Sequence, residues 1–217
     1  MNIKTATKPE LIEIRKALLD RHKALLQSKR WIEKTKLGLI RNWILHPNDG
    51  TISLVRAESQ VACSALELFN YLVINIDQTC QEWNDVMIYS KQIQDFGDGF
   101  ELSRIISEGN WVADREDVFL RCNWTLEDGT LLELSTGFGE DIEPVYTEIS
   151  TYTQRSLMHF ASKEIQPISE NACLYKTIWH YDPAGWLSRL IPRKMLGNII
   201  LKNLVHEHEK LNTIFSV

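Results

Sequence analysis

From Pro9 to about Glu33 the apolar residues fall in two neighbouring rows, Leu11, Ile14, Leu18 and Leu25 beside Ile12, Leu19 and Leu26. This is the spacing of an amphipathic helix, and Arg15, Lys16, Lys23 and Lys29 occupy its other faces. Leu39–Leu45 and Thr51–Arg56 flank His46-Pro47-Asn48-Asp49-Gly50, where Asp-Gly supplies the positive φ of a tight reversal, so this region predicts a hairpin. From about Val61 the apolar positions Ala65, Leu66, Phe69, Leu72, Val73 and Ile76 return to the helical period, and Trp83-Asn84-Asp85 ends that segment. Strand-like runs follow at Val86–Gln94, Phe100–Ser107, Asp117–Trp124 and Thr130–Phe138, separated by glycine-containing turns. After an acidic loop at Gly139–Tyr146, Arg155–Ile165 and Ala172–Tyr181 predict two more strands. Ile191–Ile214 is helical, with Leu196, Ile199, Ile200, Leu204, Leu211 and Ile214 on one broad face. Short links between strands favour antiparallel neighbours, which makes this an α+β chain.

The 217 residues, 44% hydrophobic and 24% charged, fit one large globular unit, and no apolar stretch approaches the ~18 residues that span a bilayer. The start of the chain, Met1 to Lys8, lacks the apolar core of a signal peptide. The four cysteines, Cys63, Cys80, Cys122 and Cys173, have neither C-x-x-C nor zinc spacing and read as reduced thiols of a cytoplasmic protein. Charge is unevenly spread. Residues 1–41 carry 11 Lys/Arg against 4 Asp/Glu, residues 42–182 carry 8 against 23, and residues 183–217 carry 5 against 2. An acidic body between basic ends argues against a nucleic-acid groove. It suits basic end helices that pack on the acidic body or meet an anionic membrane surface.

Several motifs share an order with a known family. Trp83-Asn84 follows the second helix. Arg115-Glu116-Asp117-Val118-Phe119-Leu120-Arg121 resembles an Arg-Asp-Phe-Val strand with a trailing arginine, although Glu116 interrupts the order. Ser135 matches the serine of a Ser-Val step in which Thr136 replaces valine, and Pro144 the proline of the next loop. Asp182-Pro183-Ala184-Gly185-Trp186 resembles the Asp-Pro-Lys-Gly-Trp that precedes a closing helix. Together they resemble the START (StAR-related lipid-transfer) domain family of the helix-grip fold, over roughly Leu39 to Phe215. The resemblance implies a curved antiparallel β-sheet around a C-terminal helix, with an internal apolar tunnel that holds one lipid molecule. It also divides the chain into an N-terminal helical segment, 1–38, that packs on a START-like lipid-binding domain, 39–217.

The resemblance further implies no catalytic residue and no cofactor. Glu101 and Arg121 match an acid and an arginine of the family's tunnel wall. Alternation in the strand Asp117–Trp124 puts Val118, Leu120, Cys122 and Trp124 on one face and Phe119, Arg121 and Asn123 on the other. The apolar face would by default line a cavity. The family match instead turns Phe119 and Arg121 inward and leaves the apolar face to the stripe of Leu11, Leu18 and Leu25. In the closing helix, Leu196, Ile200, Asn203 and Leu204 share one face and are expected to bind lipid, with Asn203 the polar reader. Trp186, Arg189, Arg193 and Lys194 are expected to touch the membrane, in a cytoplasmic protein peripheral at membranes.

Other constellations carry less. In His206-Glu207-His208-Glu209 the imidazoles point about 200° apart on a helix, so they cannot share a metal ion, and the run reads as a solvated face. His22, His46 and His159 look isolated, and His180 reads as a wall residue. No nucleophile elbow or phosphate-binding glycine loop occurs. The leading expectation is non-enzymatic binding and transfer of a sterol, phospholipid, sphingolipid or other apolar molecule. The alternatives are a lipid-sensing regulatory module and a helix-grip enzyme acting on an apolar substrate.

Overall fold

The computed structural model describes residues 5–34, 39–109, 113–138, 153–184 and 190–216. Helix α1, Lys8–Gln27, starts where the Thr7 N–H donates to Glu10 Oε2 at 2.7 Å and Pro9 stands in the first turn. It stops six residues earlier than the periodicity predicts. Ser28 takes extended backbone, and the Trp31 indole N–H caps the Leu25 carbonyl at 2.7 Å. The chain beyond it forms a short edge strand, β1 (Ile32–Glu33), paired antiparallel with β2 (Arg41–Leu45).

β2 and β3 (Leu54–Val61) form the expected hairpin, with Gly50 at φ +74° and the Asp49 carboxylate accepting from the Thr51 N–H at 2.9 Å. The second helical region comprises α2 (Ala65–Phe69), a wider π-type turn at Asn70–Ile74, and α3 (Ile76–Trp83). Then come β4 (Met87–Gly97), β5 (Phe100–Ser107), β6 (Asp114–Thr125), β7 (Leu131–Gly137), β8 (Thr153–Arg155), β9 (Leu157–Ser169), β10 (Ala172–Asp182) and α4 (Arg193–Ile214). The sheet order is β1-β2-β3-β10-β9-β7-β6-β5-β4, antiparallel along its length, while β8 pairs parallel with the start of β6. The fold is α+β, a curved antiparallel sheet around a C-terminal helix.

The two sheet faces differ in what covers them. On the convex side Leu11 and Leu18 of α1 share one apolar cluster with Val118, Leu120 and Cys122 of β6, Leu132 and Leu134 of β7, and Ile178 of β10. Polar contacts also pin α1 here. His22 meets Glu164 Oε2 at 2.7 Å, and Arg21 reaches His180 Nδ1 at 2.9 Å and donates to the His159 carbonyl at 3.0 Å. Of the histidines that look isolated in sequence, His22 and His159 therefore lie at this contact between α1 and the sheet, where His180 also sits on the outer side. The His46 ring instead pairs with Ser53 Oγ at 2.7 Å. Glu116 has a place too, joined to Arg104 Nε at 2.5 Å and to Arg155 Nη2 at 2.9 Å. That pairing ties β5 and β8 to β6 where the sequence departs from the family motif.

On the concave side α4 lies against β2 and β3. Leu201, Leu204 and Val205 pack with Ile44, Val55 and Ala57. A Cβ at Gly197 would stand 2.7 Å from Ser53 Cβ, so glycine is what lets the helix approach the hairpin this closely. Further along, the expected solvated face is only half right. His206 and Glu209 are exposed, but Glu207 and His208 are buried. The Tyr175 hydroxyl donates to Glu207 Oε1 at 2.8 Å, while His208 takes Ser59 Oγ at 2.7 Å and Thr177 Oγ1 at 2.9 Å and stacks on Tyr175. β3 and β10 supply these polar partners, which is what lets such groups enter the interior. No group of metal ligands forms among the described residues.

Burial holds the His208 imidazole down at about 3, against an ordinary 6.5. A depressed folded-state pKa gives stability that is whole above 6.5 and lost as pH falls toward 3. Glu207, pushed up to about 7 mainly by burial, has the opposite sign: its contribution is whole below the ordinary 4.5 and lost as pH rises to 7. The difference between wild type and His208→Gln isolates the imidazole. In urea titrations that difference should shrink by on the order of 2 kcal/mol between pH 7 and about pH 4.5. A constant difference would mean the imidazole is not held neutral.

Candidate functional site

The concave face of the sheet, α3 and α4 enclose a cavity of about 350 Å³. Apolar side chains dominate its wall, among them Ile105, Phe119, Met158, Trp179, Leu196 and Ile200. The volume falls in the ~300–1,000 Å³ range of small-molecule sites.

Of the seven residues expected to bind lipid, five line this space: Phe119 and Arg121 from β6, and Leu196, Ile200 and Asn203 from α4. The structure does not bring the other two to the wall. Glu101 is the cross-strand neighbour of Arg121 and stands behind it, its Oε1 2.9 Å from Arg121 Nη1. Leu204 turns to the hairpin cluster, because α4 leans on β3 with the face next to the one that meets the cavity. The inward turn of Arg121 follows from β6. Its even-numbered positions, Val118, Leu120 and Cys122, are taken by the α1 cluster, so Asp117, Phe119 and Arg121 face the cavity.

Arg121 is 3% exposed and is held by more than Glu101, since Nη1 also donates to the Val73 carbonyl at 3.0 Å. Beside it on β7 is Glu133, paired with Lys163 Nζ at 2.5 Å and accepting from the Ser135 hydroxyl. Burial alone would raise the Glu133 carboxyl. The charges of Lys163 and Arg121 outweigh that and hold it below the usual range. Asp117, also on the wall, is pushed up to about 6, chiefly by burial, with the Ser156 and Tyr181 hydroxyls and the Arg155 charge opposing. Ion pairs engage Arg121, Glu133 and Lys163, so these groups offer hydrogen-bonding points to a ligand more readily than proton transfer.

Sequence reading missed Asp117, Glu133 and Lys163. The signal for Asp117 was present, because extending the β6 alternation two residues back from Phe119 puts it on the same face. Glu133 is a lone charge amid Leu131, Leu132 and Leu134, a pattern that marks a buried, partnered group. At the start of α4, Arg193 and Lys194 are exposed, with Arg193 Nη1 3.5 Å from Asp182 Oδ2. Leu190 and Met195, 70% and 56% exposed, stand among them and were not anticipated. Trp186 and Arg189 lie outside the described residues.

No protein-family model matches the sequence, and no curated protein matches it. Solved structures do match. Human StAR-related lipid transfer protein 5 is similar at a TM-score of 0.82 and 14% identity, covering 96% of this chain and 98% of that one. Human STARD10 is similar at 0.75 and 12% identity, covering 89% and 76%. A STAR-related lipid transfer protein from Xanthomonas axonopodis is similar at 0.68 and 13% identity, covering 86% and 99%. At such identities the likeness establishes the fold, which is that of START domains.

The Glu101–Arg121 pair gives a stability test. Glu101→Gln leaves a buried guanidinium without its counter-charge and should cost about 3 kcal/mol, the lower end of the range for breaking buried pairs because Glu101 is partly solvated. Adding Arg121→Met should recover most of that loss. Urea titration of the single and double variants measures both, and a neutral Glu101→Gln would contradict the pairing.

Proposed function

We propose that the protein binds one lipid molecule, or another single apolar molecule, in this cavity and carries it between membranes without chemical change. The observation that carries the reading is the mainly apolar cavity under α4, with a few partnered polar groups on its wall. A ligand of this kind gains about 25 cal/mol for each Å² of apolar surface it takes from water, so an enclosed apolar site is sufficient to hold it. Two of the similar structures are lipid transfer proteins by name, which supports the same direction. In this reading Phe119, Leu196 and Ile200 hold the apolar body, and Arg121 with Asn203 meets the polar group. Glu101 orients Arg121, and Leu204 seats the helix. The division at residue 38 between an N-terminal segment and the lipid-binding unit belongs to the same proposal.

Membrane contact would come at the start of α4, where exposed Leu190 and Met195 stand beside Arg193 and Lys194; the sequence adds Trp186 and Arg189. This mix of apolar and basic groups suits the peripheral surface of an anionic bilayer. Among the described residues no helix is long and apolar enough to cross a membrane.

Mass spectrometry of small molecules co-purifying with the protein, followed by vesicle-to-vesicle transfer, tests the function. Ile200→Trp should fill the cavity and abolish stoichiometric lipid while the fold survives, and undiminished lipid in that variant would contradict the site. A protein that loads lipid without speeding transfer would be a sensor. Co-sedimentation should favour anionic over neutral vesicles, and Arg193→Gln with Lys194→Gln should weaken it by on the order of 1 kcal/mol per removed charge. Salt should weaken it steeply. Equal binding to both vesicle types would remove the basic tip from the membrane reading.

A further inference from the structure

Three residues of the cavity wall each carry a buried polar atom with no hydrogen-bonding partner among the described residues: Asp117 Oδ1, Arg121 Nε and Trp83 Nε1. The residues that carry them are 5%, 3% and 1% exposed. A buried polar atom left without a partner is costly, and natural interiors rarely keep one. Of the ten such atoms among the described residues, three belong to residues that line this one cavity.

Asp117 is the informative member. The hydroxyls of Ser156 and Tyr181 lie near its carboxyl, and Oδ1 has no hydrogen-bonding partner among the described residues. On β6 it precedes Arg121 by four residues on the same face, with Phe119 between them. At ~3.3 Å per residue the two positions are about 13 Å apart along the strand. Trp83 belongs to the same apolar cluster as Phe119.

We propose that Asp117 Oδ1 is a second polar anchor, so that the ligand is an apolar body with a neutral hydrogen-bonding group at each end. It rests on the lipid-binding reading above and narrows it. At the Asp117 end the group is a hydroxyl that donates to Oδ1. Arg115, two residues before it on the same cavity wall, is the cation that opposes an ammonium there. At the Arg121 end the group is a hydroxyl or carbonyl oxygen that accepts from Nε–H. Glu101 and Glu133 flank the guanidinium and oppose a carboxylate or phosphate. A singly hydroxylated lipid would satisfy one end and leave the other bare.

The test is competitive displacement of a fluorescent hydrophobic probe from the full chain by dodecanol and by the matching α,ω-dodecanediol. An apolar cavity end would penalise the second hydroxyl, so the two readings predict opposite orders. The diol should bind wild type about tenfold tighter than the alcohol, and Asp117→Leu should reverse that order. Equal or tighter binding of dodecanol to wild type overturns the second anchor, and this comparison needs no variant to fold. A diol preference that survives in folded Asp117→Leu also overturns it. Failure of both compounds to displace the probe, with the probe itself bound only at the surface, defeats the lipid-binding reading along with it.

Discussion

A strand has two faces, and β6 has to satisfy a different neighbour with each. Its even-numbered side chains are claimed by the apolar stripe of α1, and that claim turns Arg115, Asp117, Phe119 and Arg121 toward α4. The cavity wall therefore depends on a helix that never touches the cavity. Without Leu11 and Leu18 on the convex side, Val118, Leu120 and Cys122 would need other cover, and the inward charges would lose the packing that compels them to stay inside. Once those charges are inside, their partners follow. Arg121 is matched by Glu101 and a backbone carbonyl, and Lys163 by Glu133.

Much of the fold was legible because its periods are clean. The alternating runs from Val86 onward and the 3.6-residue rows at both ends gave nearly every element. The motif order Trp83-Asn84, Arg115 to Arg121, Asp182 to Trp186 gave the arrangement. What failed did so for local reasons. α1 was drawn too long because its stop is not marked by a proline or glycine: Ser28 turns extended, and its N–H and the Trp31 indole both donate to the Leu25 carbonyl. The tail of α4 was read as solvated because Glu207 and His208 are polar. Their partners, Tyr175, Ser59 and Thr177, lie 31 to 149 residues away in the chain, where no local pattern can point to them.

The site was legible to the same degree as the strand that builds it. Phe119 and Arg121 could be placed from alternation together with the family resemblance, and Leu196, Ile200 and Asn203 from helical spacing. Leu204 could not be separated from them, since a helix face is broad and only the direction of its lean on β3 decides which residues meet the cavity. Glu116 looked like a flaw in a motif, yet it joins Arg104 and Arg155 on the side away from the cavity. A departure from a family pattern can thus mark a residue that serves the scaffold, leaving the inward positions on either side of it to differ in chemistry.

The two ends of α4 are fastened by different means. The rear is rooted by the Glu207–Tyr175 bond, by the two hydroxyls on His208, and by Lys210 and His206 on Asp85. The front rests on the hairpin through Gly197 and the apolar contacts of Leu196 and Ile200, and ends in exposed Arg193, paired with Asp182, and exposed Lys194. A helix held this way is a cantilever. Its front carries Leu196 and Ile200, the residues over the cavity, so under the proposed function the movement that admits a ligand would be a deflection about that root. On that proposal ligand exchange and global unfolding would have separate barriers, and a substitution at Gly197 would change the first while leaving the contacts of the root in place.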